Sequence, residues 1–414
     1  MTKSLRFALG LVAGLVLAAC AGAAATMTQP AGTDVEDLLY LQSGRGDLAV
    51  ITPDGASPRF HSDSAVPAPT WGTVVRAQPS GKHTIVTATD PATGATRWFQ
   101  KLSGMLRVKV VSSDGSTVAL ARNTERYNRD GRKRTSFVIA GANVDPRVIT
   151  VDGNYEPDAF STDDRALFVI RYLPATAPEK YQVRRLDLDT EKIGGVVTPD
   201  KDLQKAMGGS AQVQASSPEG DRLYTLYTVG GHHGTRRYAF VHTLDLHEQW
   251  AHCIDLPEAF ASHADWATAL TVSADGSRLF VANTFIGRVA VVDTATLKVL
   301  RTGLLGFTSR AQSYAAHDSG STLYVGSGNR VVAIDDDTLS RTQAWDLEDP
   351  ISGIQVSSDG HKVYVGLIHT VIVFDVDSGD RLETFDPPGV RQIYRLGLRL
   401  QRVDEVRTTF TCAC

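Results

Sequence analysis

The chain has 414 residues, is 42% hydrophobic and 21% charged, and carries a net charge of −4. Those proportions are those of a folded globular protein and exclude collagen-like, coiled-coil and wholly disordered chains. The acidic balance excludes a protein that coats nucleic acid, so no nucleic-acid partner is expected.

Lys3 and Arg6 precede residues 7–19, which are uncharged and end in Leu17-Ala18-Ala19-Cys20. A positive start, a short apolar stretch and small residues before a cleavage point describe a secretory signal. The last four residues resemble the bacterial lipobox, in which the cysteine thiol is acylated and the chain is cut just before it. That resemblance implies a signal peptide over 1–19, lipidation at Cys20, and anchoring to the extracytoplasmic face of the cell membrane. An uncleaved spanning helix over 7–25 is the alternative, although its many Ala and Gly residues make it weakly apolar. Residues 20–36 are small and polar and cannot bury a core, so they read as a flexible tether.

From residue 37 the chain repeats. Three segments align: VSADGSRLFVANTFIGRVAVVDTATLKVLRT at 272–302, AAHDSGSTLYVGSGNRVVAIDDDTLSRTQAW at 315–345, and VSSDGHKVYVGLIHTVIVFDVDSGDRLETF at 356–385. Each reads as a tight polar turn, an alternating strand, a second turn, a valine-rich strand ending in Asp, and a more polar strand. Period-two alternation between Gly, Asp and Ser turns is the signature of β-hairpins. The turn recurs upstream as Pro79-Ser80-Gly81, Ser113-Asp114-Gly115, Thr162-Asp163-Asp164 and Pro218-Glu219-Gly220, at a mean spacing of about 46 residues. Four antiparallel strands at that period predict an all-β fold, a β-propeller over 37–400 followed by a tail over 401–414. The count gives seven blades, or eight if 72–101 forms its own unit. LLYLQSGRGDLAVITPDGASPRF (38–60) matches the last three strands of a unit, and QIYRLGLRL (392–400) is positioned to supply the fourth and close the ring.

The unit LFVANTFIGRVAVVDTATLKVL resembles the YVTN-type propeller repeat, with its aromatic-Val-Ala-Asn, Val-x-Val-Val-Asp and Thr-containing turn. The resemblance is closest over 267–385 and extends over 106–256. It implies a propeller but no chemistry, since relatives range from surface proteins to lactonases and quinoprotein subunits.

Asp293, Asp335 and Asp375 each end a strand before a Thr- or Ser-containing turn. That position suits a carboxylate accepting backbone N–H groups of its own turn better than a ring of metal or substrate ligands. Asp335-Asp336-Asp337 lacks the spacing of a calcium loop. His232, His233, His242, His247, His252 and His263 crowd together, with Cys253 among them. Imidazole and thiolate ligate zinc or copper, which makes His232, His233, His242, His252 and Cys253 metal candidates. Their spacing matches no helical zinc motif, and strand alternation separates neighbours onto opposite faces. Cys253, Cys412 and Cys414 are disulfide candidates with undetermined connectivity; the two tail thiols are an alternative copper(I) site. The basic run RNTERYNRDGRKR at 122–134 reads as an exposed loop.

No nucleophile elbow, phosphate loop, haem site or dinucleotide fingerprint is present in the sequence. The sequence therefore reads as a monomeric, lipid-anchored binding module for an envelope protein or ligand, without catalytic residues or cofactor. The alternatives are a propeller enzyme of lactonase or quinoprotein-dehydrogenase type and an envelope metal-handling protein.

Overall fold

The computed structural model describes residues 37–43, 47–53, 58–122, 130–197, 207–230, 237–261, 267–317, 320–387, 390, 393 and 395–397. The signal, tether and tail, and with them Cys20, His232, His233, Cys412 and Cys414, lie outside the described residues. The chain forms eight four-stranded antiparallel sheets, the blades of a β-propeller.

Blade 1 contains β1 (Leu39–Gln42), β2 (Asp47–Ile51) and β3 (Pro58–Asp63). Blade 2 contains β4 (Ala65–Pro67), β5 (Val74–Ser80), β6 (His83–Thr89) and β7 (Thr96–Ser103). Blade 3 contains β8 (Leu106–Val111), β9 (Thr117–Arg122), β10 (Arg134–Gly141) and β11 (Val144–Asp152). Blade 4 contains β12 (Asn154–Phe160), β13 (Ala166–Leu173), β14 (Lys180–Asp187) and β15 (Lys192–Val196). Blade 5 contains β16 (Ser210–Ser216), β17 (Arg222–Val229), β18 (Tyr238–Asp245) and β19 (Trp250–Asp255). Blade 6 contains β20 (Thr268–Val272), β21 (Arg278–Asn283), β22 (Arg288–Asp293) and β23 (Lys298–Leu304). Blade 7 contains β24 (Ser313–His317), β25 (Thr322–Ser327), β26 (Arg330–Asp335) and β27 (Arg341–Asp346). Blade 8 contains β28 (Gly353–Val356), β29 (Lys362–Gly366), β30 (Val371–Asp375) and β31 (Arg381–Phe385). The first strand of blades 2–8 is innermost, and in blade 1 that position is taken by the C-terminal strand; β16, β20, β24 and β28 run beside one another around the axis.

Burial explains the repeat pattern. The two middle strands of a blade are covered on both faces, so β21 and β22 are almost continuously buried. The outermost strand β23 alternates exposed and half-buried positions. The apolar core is divided into seams between blades. Phe280 and Val291 of blade 6 pack with Leu323, Val325 and Val332 of blade 7. Leu39 and Leu41 of blade 1 pack with Tyr364, Val371 and Val373 of blade 8.

The blade count is eight, the larger of the two counts the repeat allows, and not seven. Residues 65–103 form a complete blade whose innermost strand is only three residues long. Its first turn, at 68–73, lacks the Ser-x-Asp-Gly sequence. Pro79-Ser80-Gly81, which matches that sequence in part, belongs instead to the next hairpin, where Ser80 pairs with His83. Ring closure follows the expected route: β32 (Arg395–Gly397) pairs with β1, placing Tyr40 opposite Gly397 and Gln42 opposite Arg395.

Two turn types repeat. In the first, Ser112, Ser161, Ser273 and Ser357 donate from Oγ to Asp114, Asp163, Asp275 and Asp359 at 2.7, 2.6, 2.5 and 2.5 Å. The same serines accept the amides of Thr117, Ala166, Arg278 and Lys362. In the second, Asp293 Oδ1 accepts from the amide and hydroxyl of Thr296 at 2.6 and 2.8 Å. Asp335 does the same with Thr338, and Asp375 accepts the Ser378 amide. The following residue adopts positive φ, 55° at Leu297, 56° at Leu339 and 73° at Gly379, as a bulged hairpin requires. The three carboxylates thus serve their own turns and do not form a ligand ring. Backbone N–H donation from Thr296, Thr338 and Ser378 holds them below the usual carboxylate range.

Two predictions follow from this architecture. Deleting residues 386–414 removes β32 and Ile393, which is 2% exposed, and uncovers seams on both sides of blade 1. Thermal unfolding of the truncated chain should shift down by at least about 5 °C, or the chain should aggregate. The second concerns Asp275, whose pKa is lowered to about 2, first by the Ser273 hydroxyl and then by the Ser277 amide. A carboxylate depressed below its unfolded value of about 3.9 stabilises at neutral pH and loses that contribution as pH falls from about 4 through about 2. Asp275→Asn should lower stability at pH 7 by under about 1 kcal/mol, because the group is exposed, and the melting temperature slightly with it. Melting curves across pH should show that difference shrinking below pH 4.

Candidate functional site

Consecutive antiparallel strands reverse direction, so each blade sends its first and third connections to one rim and its second and fourth to the other. The Ser-x-Asp-Gly and Asp-x-x-Thr turns all lie on the first, which we call the turn rim. The opposite, loop rim carries the basic insertion between β9 and β10 and the 230–237 connection between β17 and β18.

The turn rim is drawn together across the blades. Thr70 Oγ1 of blade 2 donates to Ser113 O of blade 3 at 2.5 Å, and Ser116 Oγ donates to Asp164 Oδ2 of blade 4 at 2.8 Å. Ser113 Oγ reaches past blade 4 to Gly220 O of blade 5, also at 2.8 Å. A Cβ at Gly220 would stand 3.1 Å from Thr70 Cγ2 and 3.2 Å from Ser113 Oγ, and its φ of +68° independently favours glycine. Neighbouring turns are also joined by polar side chains: His317 Nε2 lies 2.8 Å from Asp336 Oδ2, and Arg278 bridges Asp336 and Asp337 at 3.0 and 2.9 Å. The Asp335–Asp337 run is therefore divided between a turn and an ion cluster. Its sequence gave no sign of the His317 contact.

The innermost strands of blades 3–5 carry a polar network. Arg132, from the basic insertion, is buried and donates Nε to Asn154 Oδ1 at 2.9 Å, and Nη2 to Tyr155 O at 2.5 Å and Glu156 Oε1 at 3.0 Å. Lys109 Nζ lies 2.9 Å from Glu156 Oε2. The insertion is thus not wholly a solvated loop; one of its arginines anchors it to β12. Farther along β12, Asp158 Oδ1 accepts Gln214 Nε2 at 3.2 Å, and that amide also reaches Thr225 Oγ1. Both Glu156 oxygens face cations, so this carboxylate acts as a structural counter-ion and is poorly placed to take a proton from a substrate.

Of the metal candidates, the structure brings His242 and Cys253 together and separates His252. His242 on β18 and Cys253 on β19 are directly paired, with Nδ1 3.6 Å from Sγ. His252 pairs with Thr243 and occupies the opposite face. Met207 joins the pair with Sδ 3.7 Å from Cys253 Sγ. Reciprocal 2.8 Å backbone bonds between Met207 and Tyr181 hold it there. Tyr181 stacks on Tyr227, and Tyr227 on Phe240, at 4.8 and 5.3 Å. Burial pushes both tyrosine hydroxyls well above their usual pKa. Nothing in the sequence around Met207 signals its role, since it reaches the seam from the connector between β15 and β16. Among the described residues, no three His, Cys, Asp or Glu side chains converge as a metal site.

Removing the Glu156 carboxylate would leave buried Arg132 and half-buried Lys109 together without their counter-charge. Glu156→Ala should cost about 3–5 kcal/mol, as a broken buried ion pair does, measured by denaturant unfolding. Lys298→Ala, at an exposed site, should be within about 0.5 kcal/mol of the parent chain.

No family model matches this chain, and no curated protein matches it. Solved structures do. Apo AztD from Citrobacter koseri superposes with a TM-score of 0.55 at 15% identity, covering 88% of this chain and 98% of that one. Dihydro-heme d1 dehydrogenase NirN in complex with DHE superposes with a TM-score of 0.53 at 13% identity, covering 87% and 74%. At such identity the likeness is one of fold, and it establishes this chain as a β-propeller.

Proposed function

We propose that this chain is a lipid-anchored, extracytoplasmic β-propeller of YVTN-type repeats that docks an envelope protein or ligand through its loop rim. The asymmetry of the two rims carries the reading. The turn rim is occupied by short turns bonded to one another. The loop rim presents Tyr238 at 44%, Phe285 at 36% and Leu304 at 63% exposure, with Arg310 packed 5.7 Å over the Phe285 ring. Apolar side chains rimmed by polar loops on a rigid scaffold are how binding surfaces are usually built. The Leu-Ala-Ala-Cys box supplies the anchor, and two acyl chains give stable membrane attachment where one would not. Among the described residues no helix is long and apolar enough to cross a membrane.

The enzymatic alternative is less well supported. Its warrant is fold likeness, and the innermost carboxylates Glu156 and Asp158 are engaged by protein partners.

A single expression experiment tests both parts. Metabolic labelling with a fatty-acid analogue should mark the parent chain and not Cys20→Ser; equal label on both would refute the anchor. Partners captured by the parent from detergent-solubilised envelope should fall by roughly tenfold with Phe285→Asp, a hot-spot-sized loss, and stay unchanged with Lys298→Glu beside the turn rim. Equal capture by both variants would refute the loop rim as the docking face.

A further inference from the structure

The geometry points to a binding site for a soft monovalent metal ion, cuprous copper, formed by Met207 Sδ, Cys253 Sγ and His242 Nδ1 in the seam between blades 4 and 5. This goes beyond the docking role and stands independently of it.

The three donors come from three segments, each fixed by backbone pairing. The β18–β19 ladder sets His242 opposite Cys253, and the bridge to Tyr181 sets Met207 against them. Their separations are 3.6 Å from imidazole nitrogen to thiol sulfur and 3.7 Å from thiol sulfur to thioether sulfur. Metal bonds to nitrogen and sulfur of about 2.0–2.3 Å in a trigonal plane place neighbouring donors about 3.5–4.0 Å apart. Both separations from Cys253 fall in that range, so the thiol is spaced to share one ion with the imidazole on one side and the thioether on the other.

Donor type selects the ion. A thioether is a weak hydrogen-bond acceptor and a poor ligand for hard cations, whereas thiolate and thioether together favour copper(I). Net charge points the same way. The surroundings are aromatic, with Tyr181, Tyr227 and Phe240 around the cluster. A monovalent ion on one thiolate is neutral overall, whereas a divalent ion would leave one uncompensated positive charge in an apolar seam. Binding replaces the S–H bond of Cys253 by a metal–sulfur bond, and the thiol proton leaves to solvent. The copper stays monovalent throughout, so no oxidant or reductant is needed.

The test uses the full chain without an affinity tag, carrying Cys20→Ser, Cys412→Ser and Cys414→Ser so that Cys253 is the one thiol. Anaerobic titration with copper(I) against a chromophoric chelator should show one equivalent bound, with X-ray absorption reporting sulfur and nitrogen neighbours. Silver(I), which is redox-inert, should compete for it. Adding Cys253→Ala should abolish the equivalent, and Met207→Leu, which keeps volume and apolarity, should weaken it by roughly tenfold or more. Circular dichroism would establish that each variant is folded. If Cys253→Ala does not fold, Met207→Leu decides. Unchanged copper affinity in a folded Met207→Leu or Cys253→Ala chain would overturn the site. Zinc(II) held as tightly as copper(I) would overturn the assignment of the ion.

Discussion

A blade of four strands has two apolar faces and can bury neither by itself, so every blade depends on the one before and the one after. The structure is governed by that constraint. Its core is a circle of seams between sheets, and any opening in the circle would expose two of them. Closure is therefore the step on which all others rest. It is made by main-chain pairing of β32 with β1 and by Ile393 packing beside Leu39, Leu41 and Tyr364. An N-terminal strand and a C-terminal strand in one blade convert a linear repeat into a closed ring.

Much of this was legible because repetition makes the same physical demand many times. Central strands covered on both sides must be apolar at nearly every position, and β21, β22, β25 and β26 read that way. Turn chemistry was equally plain at Asp293, Asp335 and Asp375, since an aspartate before a threonine or serine turn has local donors in reach. The serine two residues before the turn aspartate was not singled out, although its hydroxyl is what bridges the aspartate to the following strand.

Blade 2 is the faintest unit of the repeat for a physical reason. Its innermost strand has three residues, and its 68–73 turn is held by Trp71, which is fully buried with φ of +60° and accepts the Tyr40 hydroxyl at its carbonyl. A turn stabilised by tertiary contacts leaves no short-range signature. The same holds for functional candidates. The alternation of β18 and β19 separates His252 from His242, but no local pattern announces that Met207, Arg132 or His317 will arrive from connectors and strand ends. Long-range partners are set by the closure of the ring, and the ring is invisible to any window of sequence.

The seam between blades 6 and 7 is aliphatic with phenylalanine, like an ordinary protein core. Between blades 4 and 5 one part of the seam is aliphatic with Phe168, and another holds Tyr172, Tyr181, Tyr227, Phe240 and Cys253, with Met207 against them. Blades 3 and 4 add a buried arginine and glutamate and a half-buried lysine at or beside their inner strands. Burying such groups costs desolvation that a Val or Leu seam would not. In an eight-bladed ring the remaining seams can carry that cost, because stability is shared around the circle while chemistry needs only one place in it. The repeat thus provides the frame, and in blades 3 to 5 polar and sulfur-bearing side chains replace part of its aliphatic core.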